Sequence, residues 1–457
     1  KVRAIMAHLP YYAVVIDRER RFLWTNRLDP TLSEEQFLQM RVDDVVALLR
    51  RMCELPLGRA RVDVGSLLLR YYASGSTDLT AWADGAFEPL VQAAKPQLAA
   101  PQDVVLYGFG RIGRLLARIL INKTGGGDKY RLRAVVLRPS GAANLTRRAS
   151  LLRQDSVHGQ FPGTIRVDEE RQAIIANGNV IQVFYAEGPD QVDYTAYGIS
   201  NAVVIDNTGK WRDRQGLSLH LKSPGVKKVV LTAPGSGDVP NIVYGVNHGD
   251  LDPAGAVVSA ASCTTNAIVP VLAAADRRWG IESGHIETVH AYTNDQNLLD
   301  NFHKKDRRGR SAPLNMVITS TGAASASAKA LPQLAGKLTG SAIRVPTPNV
   351  SLAILNLNLQ TDVTLDEVNA FLTRVASDSP LQAQIGLSNN HETVSSDLVG
   401  DHHAGTVDAR ATIAGGKRAV LYVWYDNEFG YSCQVIRLLQ HVAAVSPVIF
   451  PPTAWPE

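Results

Sequence analysis

At 457 residues the chain is long enough for two or three domains, and its 45% hydrophobic and 20% charged residues are those of an ordinary globular protein. A net charge of +4 over that length gives no electrostatic reason to expect a nucleic-acid partner. Three widely spaced cysteines (Cys53, Cys263, Cys433) without a C-x-x-C pair speak against a disulfide framework or a metal site, and no apolar run of about 18 residues suggests a membrane span, so a reducing, cytoplasmic setting is expected.

Starting at Lys1 rather than Met, and with no signal peptide recognisable, the chain is expected to lack a few leading residues. Residues 1–100 read as a mostly helical extension without a catalytic pattern. Ser33–Cys53 (SEEQFLQMRVDDVVALLRRMC) places apolar residues at helical spacing, with Ser33 and Gln36 forming a capping box. A further helix is expected over Asp84–Ala94, ended by Pro96, and Pro96–Pro101 (PQLAAP) reads as a linker.

From Asp103 strands alternate with helices. Strands are expected at Asp103–Tyr107, Arg131–Leu137, Ala202–Ile205, Lys228–Leu231 and Ala256–Ala260, with a helix at Arg111–Asn122. Short apolar runs bounded by turn residues suit strands buried on both faces of a parallel sheet. Beyond Cys263 longer, partly alternating strands follow at Gly284–Thr293, Asn349–Leu359 and Ala419–Tyr425, with helices near Asp366–Ala376 and Gln434–Val442. That pattern predicts a mixed sheet covered by helices on one face.

Between the first strand and its helix lies Gly108-Phe109-Gly110-Arg111-Ile112-Gly113, a G-x-G-x-x-G turn. Gly108 permits the tight turn, Gly110 lets the backbone approach a pyrophosphate, and Gly113 lets helix and strand pack closely, so a dinucleotide site is expected. The second strand ends in Arg138 rather than in the acidic residue that would bind ribose hydroxyls, which favours acceptance of a 2′-phosphate, hence NADP as well as NAD.

Cys263, in ASCTTN, follows an apolar strand and opens a helical stretch, where the helix dipole favours a thiolate. Cys53 and Cys433 lie within helical patterns and read as packing residues. The run Arg307, Arg308, Arg310 reads by itself as a solvated loop.

ASCTTN, together with YGFGRIGR, DSVHG, GVNH, VHAYTNDQ, STGAA, KLTGSAIRVPTPNVS and WYDNEFGYS in that spread from Asp103 to about Val442, resembles the phosphorylating glyceraldehyde-3-phosphate dehydrogenases. The resemblance implies that Cys263 is the nucleophile and His290 its base. It implies an inorganic-phosphate site of Ser262, Thr264, Thr321 and Gly322. It further implies a site for the substrate's C3 phosphate made of Thr293, Asp295 and Arg344, with Arg307 in a nearby arginine-bearing loop. Asn427 would bind the nicotinamide carboxamide, while Thr208, Gly209 and Thr232-Ala233-Pro234 would line the cofactor. Three features depart from the family's pattern: Arg138, Ser325 where lysine is common, and the first 100 residues.

The expected architecture is α/β: an extension over 1–100, a doubly wound NAD(P)-binding (Rossmann) domain over 101–263, and an α+β catalytic domain over 264–430. Residues 431–457 are expected to form a C-terminal helix and tail packing on the NAD(P)-binding domain. The expected reaction is oxidative phosphorylation of D-glyceraldehyde 3-phosphate with NAD or NADP, by a homotetramer that binds no metal, membrane or nucleic acid. Erythrose-4-phosphate dehydrogenase, and a non-catalytic binding protein reusing the fold, are the alternatives.

Overall fold

A computed structural model describes residues 12–14, 41–58, 60–92, 98, 100–123, 129–139 and 145–456. The N-terminal segment contributes strands β1 (Tyr12–Val14) and β2 (Ala60–Asp63) and helices α1 (Val42–Glu54), α2 (Val64–Ala73) and α3 (Leu79–Gln92). The capping box expected at Ser33 and Gln36 and most of the expected linker lie outside the described residues. Helix α3 begins five residues earlier than its apolar pattern suggested, because the Asp78 carboxylate accepts the N–H groups of Thr80 and Ala81 and starts the helix there. Cys53 is exposed on α1 and is not the packing residue its helical setting suggested.

The next unit is an eight-stranded sheet. Its strands are β3 (Gln102–Tyr107), β4 (Tyr130–Leu137), β7 (Ile165–Asp168), β8 (Ala173–Ala176), β9 (Asn179–Tyr185), β10 (Ala202–Asp206), β11 (Val226–Leu231) and β12 (Val257–Ser259), with the small hairpin β5 (Gln154–Asp155) and β6 (Gly159–Gln160) beside it. Spatial order is β12-β11-β10-β3-β4-β9-β8-β7, parallel throughout except where β8 pairs antiparallel with β7 and β9. Strand β10 is buried at every position, as a strand covered on both faces should be. Helices α4 (Arg111–Lys123) and α5 (Leu145–Arg153) pack into one core with β3 and β4.

A second, seven-stranded mixed sheet follows, in the order β14-β15-β13-β16-β19-β18-β17. It comprises β13 (Ile281–Ala291), β14 (Val317–Thr319), β15 (Leu338–Val345), β16 (Ser351–Thr364), β17 (Ile385–Ser388), β18 (Gly405–Asp408) and β19 (Ile413–Tyr425). Along β16, Leu355, Leu357 and Leu359 are buried while Asn356, Asn358 and Gln360 are exposed, so one face is covered and the other open. Helices α6 (Cys263–Trp279), α7 (Ala323–Ala330) and α8 (Leu365–Ser377) build the covered face, and α8 starts with a Thr364–Glu367 capping box.

Helix α9 (Phe429–Val442) returns to the first sheet, where Cys433, Leu438 and Leu439 share a core with Leu116 and Leu120 of α4. The tail after it goes elsewhere than expected. Strand β20 (Val448–Phe450) pairs in parallel with β2, placing Phe450 in the core of the N-terminal segment, 5.7 Å from Phe87 between ring centroids. Further on, the Trp455 ring lies 4.9 Å from the Arg277 guanidinium at the end of α6. Among the described residues, the N-terminal segment therefore combines its helices with a small parallel sheet to which the chain's other end adds β20.

Candidate active site

The site forms where α6 begins. Ser262 caps the helix, its hydroxyl accepting the Thr265 N–H at 3.0 Å, which leaves Cys263 as the first helical residue. Just before it, Ala261 is held at φ +55°, a left-handed conformation that costs a non-glycine residue on the order of 1–3 kcal/mol. Two bonds hold it there: its N–H donates to Ser259 Oγ, and its carbonyl accepts the Tyr431 hydroxyl at 2.9 Å. The strain turns the chain sharply from β12 into α6 and aims Cys263 across the domain boundary.

Cys263 Sγ lies 3.6 Å from His290 Nε2. His290 sits on β13 directly beside Arg344 of β15, register partners in a parallel pair. Its Nδ1 is 2.7 Å from the Ala291 carbonyl, which assigns the ring proton to Nδ1 and leaves the Nε2 lone pair facing the sulfur. Arg344 Nη1 donates to the Ala291 carbonyl at 2.9 Å and to Thr293 Oγ1 at 3.0 Å, within 3.1 Å of the imidazole. Burial, and then the Arg344 charge, pull His290 down to about 3. Burial likewise raises the Cys263 thiol, opposed by Arg344 and by the Thr264 N–H. Thiol and imidazole are thus both neutral at pH 7, poised for a proton to pass as the sulfur attacks.

The other expected residues divide clearly. Thr293 and Asp295 join Arg344 beside the histidine, and Thr293 Oγ1 donates to Asp295. The arginine of the following loop that faces them is Arg308, which pairs with Asp295 and donates to Thr319 Oγ1. Arg307, the residue expected there, is exposed in the 3₁₀ turn Asp306–Gly309, where it and Arg308 line a cavity of about 300 Å³ with Lys305, Thr319 and Ser320. A turn of that pitch sends adjacent side chains in different directions, so a one-residue offset exchanges the inward and outward arginines. Thr321 and Gly322 precede α7, with Thr321 Oγ1 accepting the Ala323 N–H, and Ser325 is exposed. Thr264 is buried, 3.0 Å from the hydroxyl of Tyr425. Tyr425, 5.9 Å from the His290 ring between centroids, was missed although it stands inside the WYDNEFGYS motif.

At the glycine-rich turn, Gly108 adopts φ +96° and donates its N–H to Val136 O at 2.9 Å. A Cβ on Gly113 would lie 2.3 Å from Gly108 O, whereas one on Gly110 would meet nothing within 4 Å, so Gly110 keeps an open backbone face suited to a pyrophosphate. Phe109 is buried and Ile112 partly so. The Arg111 guanidinium is bonded to Glu428 and Asp155, which leaves the backbone of that residue for phosphate oxygens. Thr208, which precedes Gly209, bonds Asp206 Oδ1 through its N–H and its hydroxyl, both at 2.7 Å. The other Asp206 oxygen is 3.0 Å from His220 Nε2, a fully buried pair that sequence reasoning did not find. Thr232 donates to Asp206 O and Asn207 Oδ1. Asn427 is buried, with its amide fixed by the Ser351 hydroxyl at 2.8 Å. Arg138, the first residue after β4, is exposed, as is Pro139. Among the described residues the Asp401–His402–His403 group has metal-ligand chemistry, but its 2.7 Å Asp401–His403 contact is an ordinary hydrogen bond.

Comparison with known proteins places this geometry. Residues 102–214 match the glyceraldehyde 3-phosphate dehydrogenase NAD binding domain, and residues 262–427 match the C-terminal domain of the same family. The chain is 40% identical to a glyceraldehyde-3-phosphate dehydrogenase of Zymomonas mobilis over 335 residues, 73% of this chain and 96% of that one. It is likewise 40% identical to glyceraldehyde-3-phosphate dehydrogenase 2 of Bacillus subtilis over 343 residues, 75% of this chain and 96% of that one. A glyceraldehyde-3-phosphate dehydrogenase-like protein of Pseudomonas aeruginosa is 58% identical over 421 residues, 90% of each chain, a span too long to exclude the N-terminal segment. This chain belongs to the glyceraldehyde-3-phosphate dehydrogenase family and carries an N-terminal extension of about 100 residues relative to most of the relatives it resembles.

Proposed function

We propose that this protein catalyses the NAD(P)-dependent oxidative phosphorylation of D-glyceraldehyde 3-phosphate to 1,3-bisphosphoglycerate, reversibly. The observation that carries the reading is the 3.6 Å approach of Cys263 Sγ to the unprotonated Nε2 of His290, with Arg344 and the Arg308–Asp295 pair beside it. As the sulfur attacks the aldehyde carbon, the thiol proton passes to Nε2, and the new C–S bond gives a thiohemiacetal. Nε2 hands that proton to the oxyanion of the adduct, completing its hydroxyl, and takes it back as the C1 hydride leaves. A bound NAD(P) would supply the hydride acceptor at C4 of its nicotinamide, held by the Gly108–Gly113 turn, Thr208, Gly209, Thr232 and Asn427. The resulting thioester is opened by inorganic phosphate, which forms the C–O bond of the acyl phosphate while the sulfur departs.

Arg344 and Arg308 are the charged groups available for the substrate's phosphate and the attacking phosphate, with the hydroxyls of Ser262, Thr264, Thr293 and Thr321. Each arginine is near a neutral or anionic partner in the fold, and burial and then the neighbouring Arg308 charge lower the Arg344 pKa, so a dianion entering between them is strongly favoured. A cofactor preference extending to NADP follows from Arg138. An assembly of like subunits is supported by Leu298, Leu299, Phe302, Leu314, Met316 and Ile318, all at least 61% exposed and contributed by one stretch of chain beside the site. We read it as a homotetramer working in the cytoplasm, where the nucleophilic thiol stays reduced.

The experiment is steady-state kinetics on glyceraldehyde 3-phosphate and erythrose 4-phosphate, with each cofactor, in the presence and absence of inorganic phosphate. Phosphate-dependent turnover that favours glyceraldehyde 3-phosphate is expected. Faster turnover of erythrose 4-phosphate, or turnover indifferent to phosphate, would replace this reading.

A further inference from the structure

Arg111 lies within the glycine-rich turn as the first residue of α4, yet its side chain is bonded to carboxylates. Its Nε and Nη2 bond the two oxygens of Glu428, and its Nη1 and Nη2 lie 3.2 and 3.3 Å from the two oxygens of Asp155. His158 Nε2 is 3.1 Å from Glu428 Oε2. Asp155 also accepts the N–H groups of Val157 and His158, and the Glu428 N–H donates to Asp426 Oδ1. The Asp155 and Glu428 side chains are only 7% and 12% exposed. Burial alone would raise both carboxyls. The backbone N–H groups of His158 and Val157, with Arg111, outweigh it and bring Asp155 to about 2, and the Arg111 and His158 bonds hold Glu428 below its usual range. Both are ionised at neutral pH.

This network joins residues 317 apart in sequence. On one side is the turn with an open backbone face at Gly110; on the other, Glu428 immediately follows Asn427. Resting on the reading of these as the pyrophosphate and nicotinamide ends of one dinucleotide site, we propose that Glu428 is a positioning residue. Its forked grip on Arg111 fixes the distance between the two ends of that site. Only a guanidinium can take two oxygens of one carboxylate side by side while reaching a second carboxylate, so arginine and glutamate act here as a rigid spacer and not as a general charge pair. Misplacing a reacting group by 1 Å costs up to about 100-fold in rate, so a spacer of this kind bears on turnover without touching the reacting atoms.

The test separates positioning from mere support of the fold by using two ligands. ADP-ribose has the adenosine and pyrophosphate but no nicotinamide, so it senses the turn alone, whereas NAD senses both ends. In calorimetric titrations, Glu428→Gln should leave ADP-ribose affinity within about threefold of the parent while NAD binding weakens about tenfold. In turnover, KM for NAD should rise and kcat should fall, with partial loss of the stereospecificity of deuteride transfer to the nicotinamide. His158→Gln, which removes one bond to the same carboxylate, should shift NAD binding in the same direction by less, and it carries the test if Glu428→Gln does not fold. Equal weakening of both ligands, or unchanged NAD binding and stereospecificity in a folded variant, would overturn the proposal. A parent protein that binds ADP-ribose and NAD alike but turns over no aldehyde would sink the proposed reaction while leaving this spacer intact; a parent that binds neither ligand would remove the dinucleotide site on which both rest.

Discussion

The body of the molecule and its N-terminal segment hold themselves together differently. In residues 102–442 each sheet has its own helices and its own extensive core, and the two cores meet at Cys263, which packs against both. The N-terminal segment has a small core of α1, α2, α3 and β2 residues, and it takes Phe450 and the strand β20 from the far end of the chain. Among the described residues that core is small, and the borrowed strand and aromatic ring add buried apolar surface to it. The chemistry therefore belongs to the self-sufficient region, while the segment specific to this long form is tied to it by a strap that also reaches Arg277 at the end of α6.

The sharpest way to break that division is Cys263→Ser. An alcohol is a far weaker nucleophile than a thiolate at neutral pH, so acyl transfer should nearly vanish while NAD binding and the N-terminal segment remain as before. Activity within tenfold of the parent would place the nucleophile elsewhere. His290→Asn should cost about a hundred- to ten-thousandfold in kcat, the usual worth of a positioned base. Because His290 is neutral in the fold, the pH dependence of Cys263 alkylation by neutral iodoacetamide should move little in that variant. Arg344→Gln should move it upward, since Arg344 is the foremost influence opposing burial of the thiol.

Cofactor choice is a smaller effect. Arg138→Asp should shift preference from NADP toward NAD by about tenfold in kcat/KM, equivalent to about 1.4 kcal/mol. A parent with strong NAD preference and a variant no different would show that exposed Arg138 faces away from the ribose. Smaller still is the effect on catalysis of removing residues 446–457. Loss of β20 and Phe450 should make the N-terminal segment sensitive to protease while turnover stays within about threefold; a large loss of turnover would mean that the strap to α6 supports the active site.

The slope of stability against pH offers a gentler check. Asp155 and Glu428 have lowered folded values, so they stabilise the fold above their unfolded values near 4 and lose that contribution as pH falls. His290, at about 3 folded against about 6.5 unfolded, is also a group whose unfolded form binds the proton first, so stability falls as pH drops from about 6.5 to 3. The melting temperature should decline steadily over that range, and His290→Asn should flatten its upper part.

What could be read in the sequence followed the range of the interactions involved. The glycine turn, the strand–helix alternation and the position of Cys263 at a helix start are local patterns, and the alternating strands announced a sheet with one open face. The role of His290 beside Cys263 came only with the resemblance, since nothing local links residues 27 apart. Long-range partnerships stayed hidden: Arg111 with Glu428, Asp206 with His220, and the parallel pairing of β20 with β2. The exchange of Arg307 for Arg308 has a similar cause, because a 3₁₀ turn in a basic run carries no periodicity from which to tell the inward side chain.

The most direct test of the central claim is intact-protein and peptide mass spectrometry of the enzyme given glyceraldehyde 3-phosphate and NAD without inorganic phosphate. The account predicts a phosphoglyceroyl adduct on the peptide carrying Cys263, discharged when inorganic phosphate is added. Reduction of NAD with no adduct at Cys263, or an adduct that persists when phosphate is supplied, would contradict it.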